Sequence, residues 1–133
     1  MIVMERTTGN RSVCYEIPGI ISHTESIGCS QPGGLLTLRF EYCADGPMHR
    51  GGFCFHRIRA YRFKAVAYCE GEDISSPRCR LVKILASDWV RELNVVDRYQ
   101  QPVGPMKHYL FYYPDFGCYE VVAQSWSLLS PDE

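Results

Sequence analysis

The chain has 133 residues, of which 46% are hydrophobic and 22% charged, enough for one domain with a real core and too few for two. That balance is globular and excludes a disordered chain. With 14 basic and 15 acidic side chains and a net charge of -1, no overall field recruits nucleic acid or an anionic membrane.

The first dozen residues lack the apolar stretch and small-residue cleavage site of a secretory signal. No apolar run reaches the length of a membrane span. The expectation is a cytoplasmic protein. Asn10-Arg11-Ser12 then never meets the glycosylation machinery. The seven cysteines, at 14, 29, 43, 54, 69, 79 and 118, are odd in number and irregularly spaced. In a reducing compartment they read as small buried hydrophobes rather than as a disulfide framework.

Residues 12–17 form a short strand stopped by Pro18-Gly19. Residues 20–34, punctuated by Gly28, Pro32, Gly33 and Gly34, read as a loop with a short extended piece at 20–23. Residues 35–43 alternate cleanly, with Leu36, Leu38, Phe40 and Tyr42 on one face and Thr37, Arg39 and Glu41 on the other. That is a strand with one dry and one wet face. Asp45-Gly46-Pro47 and Gly51-Gly52 bracket a loop. In residues 53–69 the phase set by Phe53 and Phe55 is broken by Ile58 and Ala60 and restored from Tyr61 to Ala67. A one-residue slip turns every side chain over, so a bulge or corner is required between His56 and Arg59. Beyond it, Tyr61 and Phe63 are expected to be buried while Arg62 and Lys64 face out.

An acidic turn region follows at 70–77, then a strand apolar on nearly both faces at 79–86. Ser87-Asp88 caps a short helical turn with Trp89, Val90 and Leu93 on one side. Residues 94–105 read as loop with a brief strand at Val95-Val96. Residues 107–126 read as a β-hairpin around Pro114-Asp115-Phe116-Gly117, each a turn residue in its place. A four-residue loop would set Tyr113 opposite Cys118, Phe111 opposite Glu120 and Tyr109 opposite Val122. Residues 128–133 are a tail. The fold class is therefore all-β, an antiparallel sandwich or flattened barrel with one short helical turn near 87–94. An α+β arrangement is the alternative.

Phosphate loops, His-Glu-x-x-His, Gly-x-Ser-x-Gly and Cys-x-x-Cys are all missing, and nothing calls for a cofactor. Cys54 and His56 share a strand face near His49 and Cys43, but zinc wants two such pairs, so no metal site is assigned. Cys118 follows the turn on the strand of Glu120 and reads as a hairpin residue without chemistry. Glu120 itself is out of place mid-strand. On a wet face it is merely solvated; in a cavity burial would raise its pKa and make it a base or ligand anchor. The segment of Arg50, Arg57, Arg59, Arg62 and Lys64 imitates a single-strand stacking surface, yet rings buried under alternation cannot stack on bases.

His108-Tyr109-Leu110-Phe111-Tyr112, followed by Asp115, Gly117, Glu120, Val121, Val122 and Ala123, resembles the C-terminal hairpin of small bacterial all-β proteins, some of which resemble the immunity proteins encoded beside toxins. Ala60-Tyr61-Arg62-Phe63 and Ser87-Asp88-Trp89 extend the resemblance. It implies no catalytic residue and a stoichiometric role. The leading function is thus a non-enzymatic module that masks a protein partner, with Arg59, Arg62, Tyr99, Tyr112 and Trp126 as anchors. The alternative is a small-ligand binder or enzyme with a pocket around His108 and Glu120. A third is a carbohydrate platform around Trp89 and Trp126. The two leading readings divide on where His108 and Glu120 point.

Overall fold

The computed structural model describes residues 7–8, 11–24, 28–30, 34–43, 46–69, 80–96, 105–113 and 117–129. Its strands are β1 (Thr7–Thr8), β2 (Arg11–Glu16), β3 (Ile20–Thr24), β4 (Gly28–Ser30), β5 (Leu35–Cys43), β6 (Met48–Ala65), β7 (Arg80–Ile84), β8 (Lys107–Tyr113) and β9 (Gly117–Leu128). The helix α1 (Asp88–Val96) and one turn of 3-10 helix, Val66–Tyr68, complete the described elements. All these strands join one antiparallel sheet in the order β1-β2-β7-β8-β9-β6-β5-β3, with β4 also on β5. The all-β class with one short helix holds.

The sheet curls. Tyr15 on β2 packs against Phe53 on β6, although β7, β8 and β9 lie between them in the sheet, and the ring centroids are 6.1 Å apart. Phe40 on β5 likewise reaches Phe111 on β8 at 5.5 Å. The concave face so formed holds the main core, with Leu36, Leu38, Phe53, Phe55, Leu81 and Val121 almost wholly removed from solvent. The alternation of β5 appears in the burial as expected, with Leu36, Leu38 and Phe40 inside. A second cluster, Val82, Leu110, Tyr112 and Cys118, lies on the convex face. There α1 packs on β8 and the 3-10 turn on β9.

The phase break in β6 is real. The register with β9 slips between Ile58 and Ala60, and Arg57 takes a left-handed φ of 56°. Beyond the break, burial departs from the expected pattern: Tyr61 and Phe63 are each 45% exposed. β6 outruns β5, whose last described pair is Leu36 with Phe55, so the rings past that pair lose the cover that a further strand would give.

Three other differences have local reasons. Gly51 and Gly52 lie within β6 opposite Phe40 and Arg39, not in a loop. A Cβ on Gly52 would sit 2.5 Å from the Leu38 carbonyl oxygen, so glycine here serves close strand packing rather than a turn. Val95 and Val96 end the helix instead of forming a strand, and residues 28–30 form a strand where loop was expected. The hairpin between β8 and β9 exists, but Tyr113 pairs with Gly117, Tyr112 with Cys118 and Leu110 with Glu120. Gly117 belongs to the ladder. Its φ is 150°, and a Cβ on it would collide with the Lys64 carbonyl oxygen of the neighbouring strand. The expected turn residues Pro114, Asp115 and Phe116 lie outside the described residues, as do the acidic turn region and Tyr99.

Candidate functional site

The one-residue correction to the hairpin register decides the chemistry. Directly opposed residues share a face of an antiparallel sheet. With Leu110 opposite Glu120, and Glu120 opposite Arg62 on its other side, the carboxylate lies on the convex face. His108, two residues from Leu110, shares that face.

Chain geometry brings Ser87 to the same place. β7 ends at Ile84, Ala86 takes a left-handed φ of 52°, and Ser87 then starts α1. The Ser87 Oγ accepts the Val90 N–H at 3.1 Å, and its carbonyl accepts the Arg91 N–H at 3.1 Å. This is the N-cap read from Ser87-Asp88.

The cap residue has a second partner. Its Oγ lies 2.7 Å from His108 Nδ1, and His108 Nε2 lies 2.8 Å from Glu120 Oε1. Arg62 completes the chain with a two-point contact, Nε to Oε2 at 3.1 Å and Nη2 to Oε1 at 3.2 Å. Its guanidinium stacks 4.0 Å from the centroid of Trp89, and Trp89 presents an edge-on contact to the His108 ring at 5.2 Å. The five side chains thus close a loop between α1, β6, β8 and β9. Ser87 and His108 are buried, at 7% and 4% exposure.

Charge follows from these contacts. Burial alone would raise the Glu120 pKa, but hydrogen bonds from His108 and Arg62, with the charge of Arg62, outweigh it and hold the group at about 2. Glu120 is therefore a carboxylate at neutral pH. An ionised carboxylate only accepts, so His108 Nε2 carries hydrogen and donates it. The other nitrogen, Nδ1, is the one turned to the Ser87 hydroxyl.

A cleft of about 310 Å³ opens beside this chain where β7 ends and β8 begins. Ser87 and His108 form part of its wall, with Val90 and Met106 apolar and Lys83, Arg91 and Lys107 cationic. Among the described residues, no acidic one lines it. Arg91 is itself paired with Asp88. Lys83 and Lys107, which share the concave face with Tyr109 and Ala123, act electrostatically on Cys14, whose thiol burial pushes up and the two ammonium groups pull down.

The expected site residues divide sharply. His108 and Glu120 converge, as the pocket reading requires, but Glu120 bonds to the back of the imidazole and its pKa is lowered rather than raised. Of the expected anchors, the described ones, Arg59, Arg62, Tyr112 and Trp126, do not assemble on one surface. Tyr112 is 8% exposed in the convex cluster, because its position in the corrected register sets it against Cys118. Trp126 packs between Tyr15 and Phe53 on the concave side. Trp89 sits on α1 against Arg62, so the two tryptophans form no common platform. Arg62 is exposed but committed to Glu120, and Arg59 is half-buried at the bulge. Cys118 is buried at 1%. His56 meets Ser127 at 2.9 Å, and among the described residues no three His, Cys, Asp or Glu side chains gather as a metal site would need.

Sequence reasoning missed Ser87 as anything beyond a cap. No motif surrounds it, and His108 lies 21 residues downstream, with Glu120 a further 12 beyond. Among the described residues no helix is long and apolar enough to cross a membrane. Comparison with protein-family models, curated proteins and solved structures gave no match.

Proposed function

We propose that this chain is a cytoplasmic small-ligand protein whose cleft takes an organic anion. The observation that carries the reading is the cleft wall itself: Ser87 and His108 stand beside the cationic Arg91, with no acid among the described lining residues. A carboxylate placed there gains from Arg91 on the same side, while Ser87 and the apolar Val90 and Met106 offer contacts for the rest of a small molecule. The 310 Å³ volume suits a ligand of a few carbon atoms, at the low end of small-molecule sites.

Titration with acetate, butyrate, succinate and benzoate, followed by amide shifts in labelled protein, tests this. Saturable shifts should gather at residues 83–91 and 106–108 for at least one of them, and should vanish in Arg91→Gln. Shifts that are unsaturable, or that survive loss of the Arg91 charge, would remove the anion-binding reading.

A second reading rests on a different observation. Tyr61 and Phe63 are both 45% exposed on the part of β6 beyond the end of β5, and exposed aromatic pairs are characteristic anchors of protein interfaces. An immunity-type role, masking a toxin encoded nearby, would use that surface. Co-purification with such a toxin, lost in Tyr61→Ser/Phe63→Ser, supports it; retention of the complex in the double variant argues against this surface.

A further inference from the structure

Resting on the cleft as a ligand site, we propose that Ser87 is a nucleophile that accepts the acyl group of a small, negatively charged ester or thioester and passes it to water. Three observations converge. The first is the unbroken donor chain. Helix capping requires only that Ser87 Oγ accept the Val90 N–H; the hydroxyl hydrogen remains and has His108 Nδ1 at 2.7 Å. Glu120, an anion, fixes hydrogen on Nε2 and leaves Nδ1 as the basic nitrogen. Serine, base and orienting acid therefore stand in the order that acyl transfer uses. The ring is turned relative to the familiar arrangement, with Nδ1 rather than Nε2 facing the hydroxyl. Either imidazole nitrogen can accept a proton, and the acid decides which one is free.

The second observation is the delivery of Ser87. It follows a strand and a turn and opens a helix, and the turn holds Ala86 at a φ of 52°, a conformation costly for any residue with a Cβ. Observed backbone strain of this kind concentrates where geometry is imposed for function. The nine-residue α1 also places the Asp88 and Trp89 amides ahead of its first intrahelical bond, at the positive end of the helix dipole. Those N–H groups can receive the oxyanion of a tetrahedral intermediate. The third is access: Ser87 and His108 line an open cleft together with Arg91, whose charge matches an acidic acyl group.

The reaction balances without a further co-reactant. Ser87 Oγ forms a bond to the acyl carbon as its proton passes to His108 Nδ1. The bond from acyl carbon to the departing oxygen or sulfur breaks, and the leaving group takes the proton from Nδ1. Water then attacks the Ser87 ester, gives a proton to Nδ1, and releases the carboxylic acid as Ser87 Oγ recovers its hydrogen. Glu120 stays ionised throughout and stabilises the imidazolium; Arg62 and Trp89 position it. These two are positioning residues.

The test uses a small fluorophosphonate and p-nitrophenyl hemisuccinate on the full chain. Peptide mapping should find the phosphonyl adduct on Ser87, and the ester should give a burst of p-nitrophenolate stoichiometric with protein. His108→Gln should slow labelling by about 100-fold or more, the scale of general-base assistance. Ser87→Asn keeps an acceptor for Val90 and a donor for His108, so it should fold and take no label. Succinate binding is measured on the same samples. Binding without any Ser87 adduct overturns the nucleophile and leaves the anion site standing. Neither binding nor adduct overturns both. Labelling equally fast in His108→Gln, or equally fast in denatured protein, also overturns the proposal.

Discussion

Replacing Glu120 by Gln removes one charge from the centre of the convex-face network and keeps the side chain's shape. The carboxyl group is 13% exposed, and its pKa falls from 4.5 to about 2 in the folded protein. At about 1.4 kcal/mol per pH unit, that difference corresponds to about 3 kcal/mol. Because the folded pKa is depressed, this stability is fully present above pH 4.5 and is lost as pH falls toward 2. In the variant, the Gln oxygen can still accept from His108, but its amide nitrogen turns a donor toward Arg62, which also only donates. The expected loss at pH 7 is about 2–3 kcal/mol. Urea unfolding followed by tryptophan fluorescence measures it, with Trp89 inside the network as reporter. The wild-type and variant stabilities should converge as pH falls from 5 toward 2.5. A gap that stays constant across that range would show that the loss comes from packing and not from the ion-paired carboxylate.

Tyr109 makes the opposite excursion. Burial, with a smaller push from Cys14, raises its pKa to about 12 from 10, so it contributes stability below pH 10 that disappears as pH rises through 12; an ultraviolet titration should show it ionising after the exposed tyrosines. Gly52→Ala should cost about 1–3 kcal/mol, read by urea midpoint, because the new methyl meets the Leu38 carbonyl 2.5 Å away. Phe53→Ala should cost about 3–5 kcal/mol, since Phe53 is fully buried and meets Tyr15, Phe40, Phe55, Phe111 and Trp126. Thiol titration without reductant should count seven groups after denaturation and few fast ones before it, the exposed Cys43 among them.

The strands were legible wherever side chains alternate against one covered face, as in β5, and even the slip in β6 showed as a broken phase. Depth of cover was not legible. Tyr61 and Phe63 carry the right phase for burial, but exposure depends on where the neighbouring strand stops. Glycine misled twice, because Gly52 and Gly117 serve close strand contact rather than turns. The second instance moved the hairpin by one residue, and with it the partner of Glu120. His108 and Glu120 were picked out because polar groups in apolar strands need a reason. Ser87 and Arg62 gained their roles only through pairings between distant segments, which leave no local pattern.

The order of the strands in the sheet also governs how the molecule comes into being during synthesis. β9 lies between β8 and β6, and β7 reaches the rest of the sheet through β8. Thus, of the described strands, those at the middle of the sheet emerge last from the ribosome. β2 has its main partner in β7, about seventy residues later, and the far half of β6 waits for β9. A hairpin of β5 with the near half of β6 can form early, but the aromatic core cannot close until residue 128 has emerged. Pairings so distant along the chain make for slow folding and long exposure of apolar strand faces. For this protein the nascent chain, rather than the finished one, is the state most in need of protection.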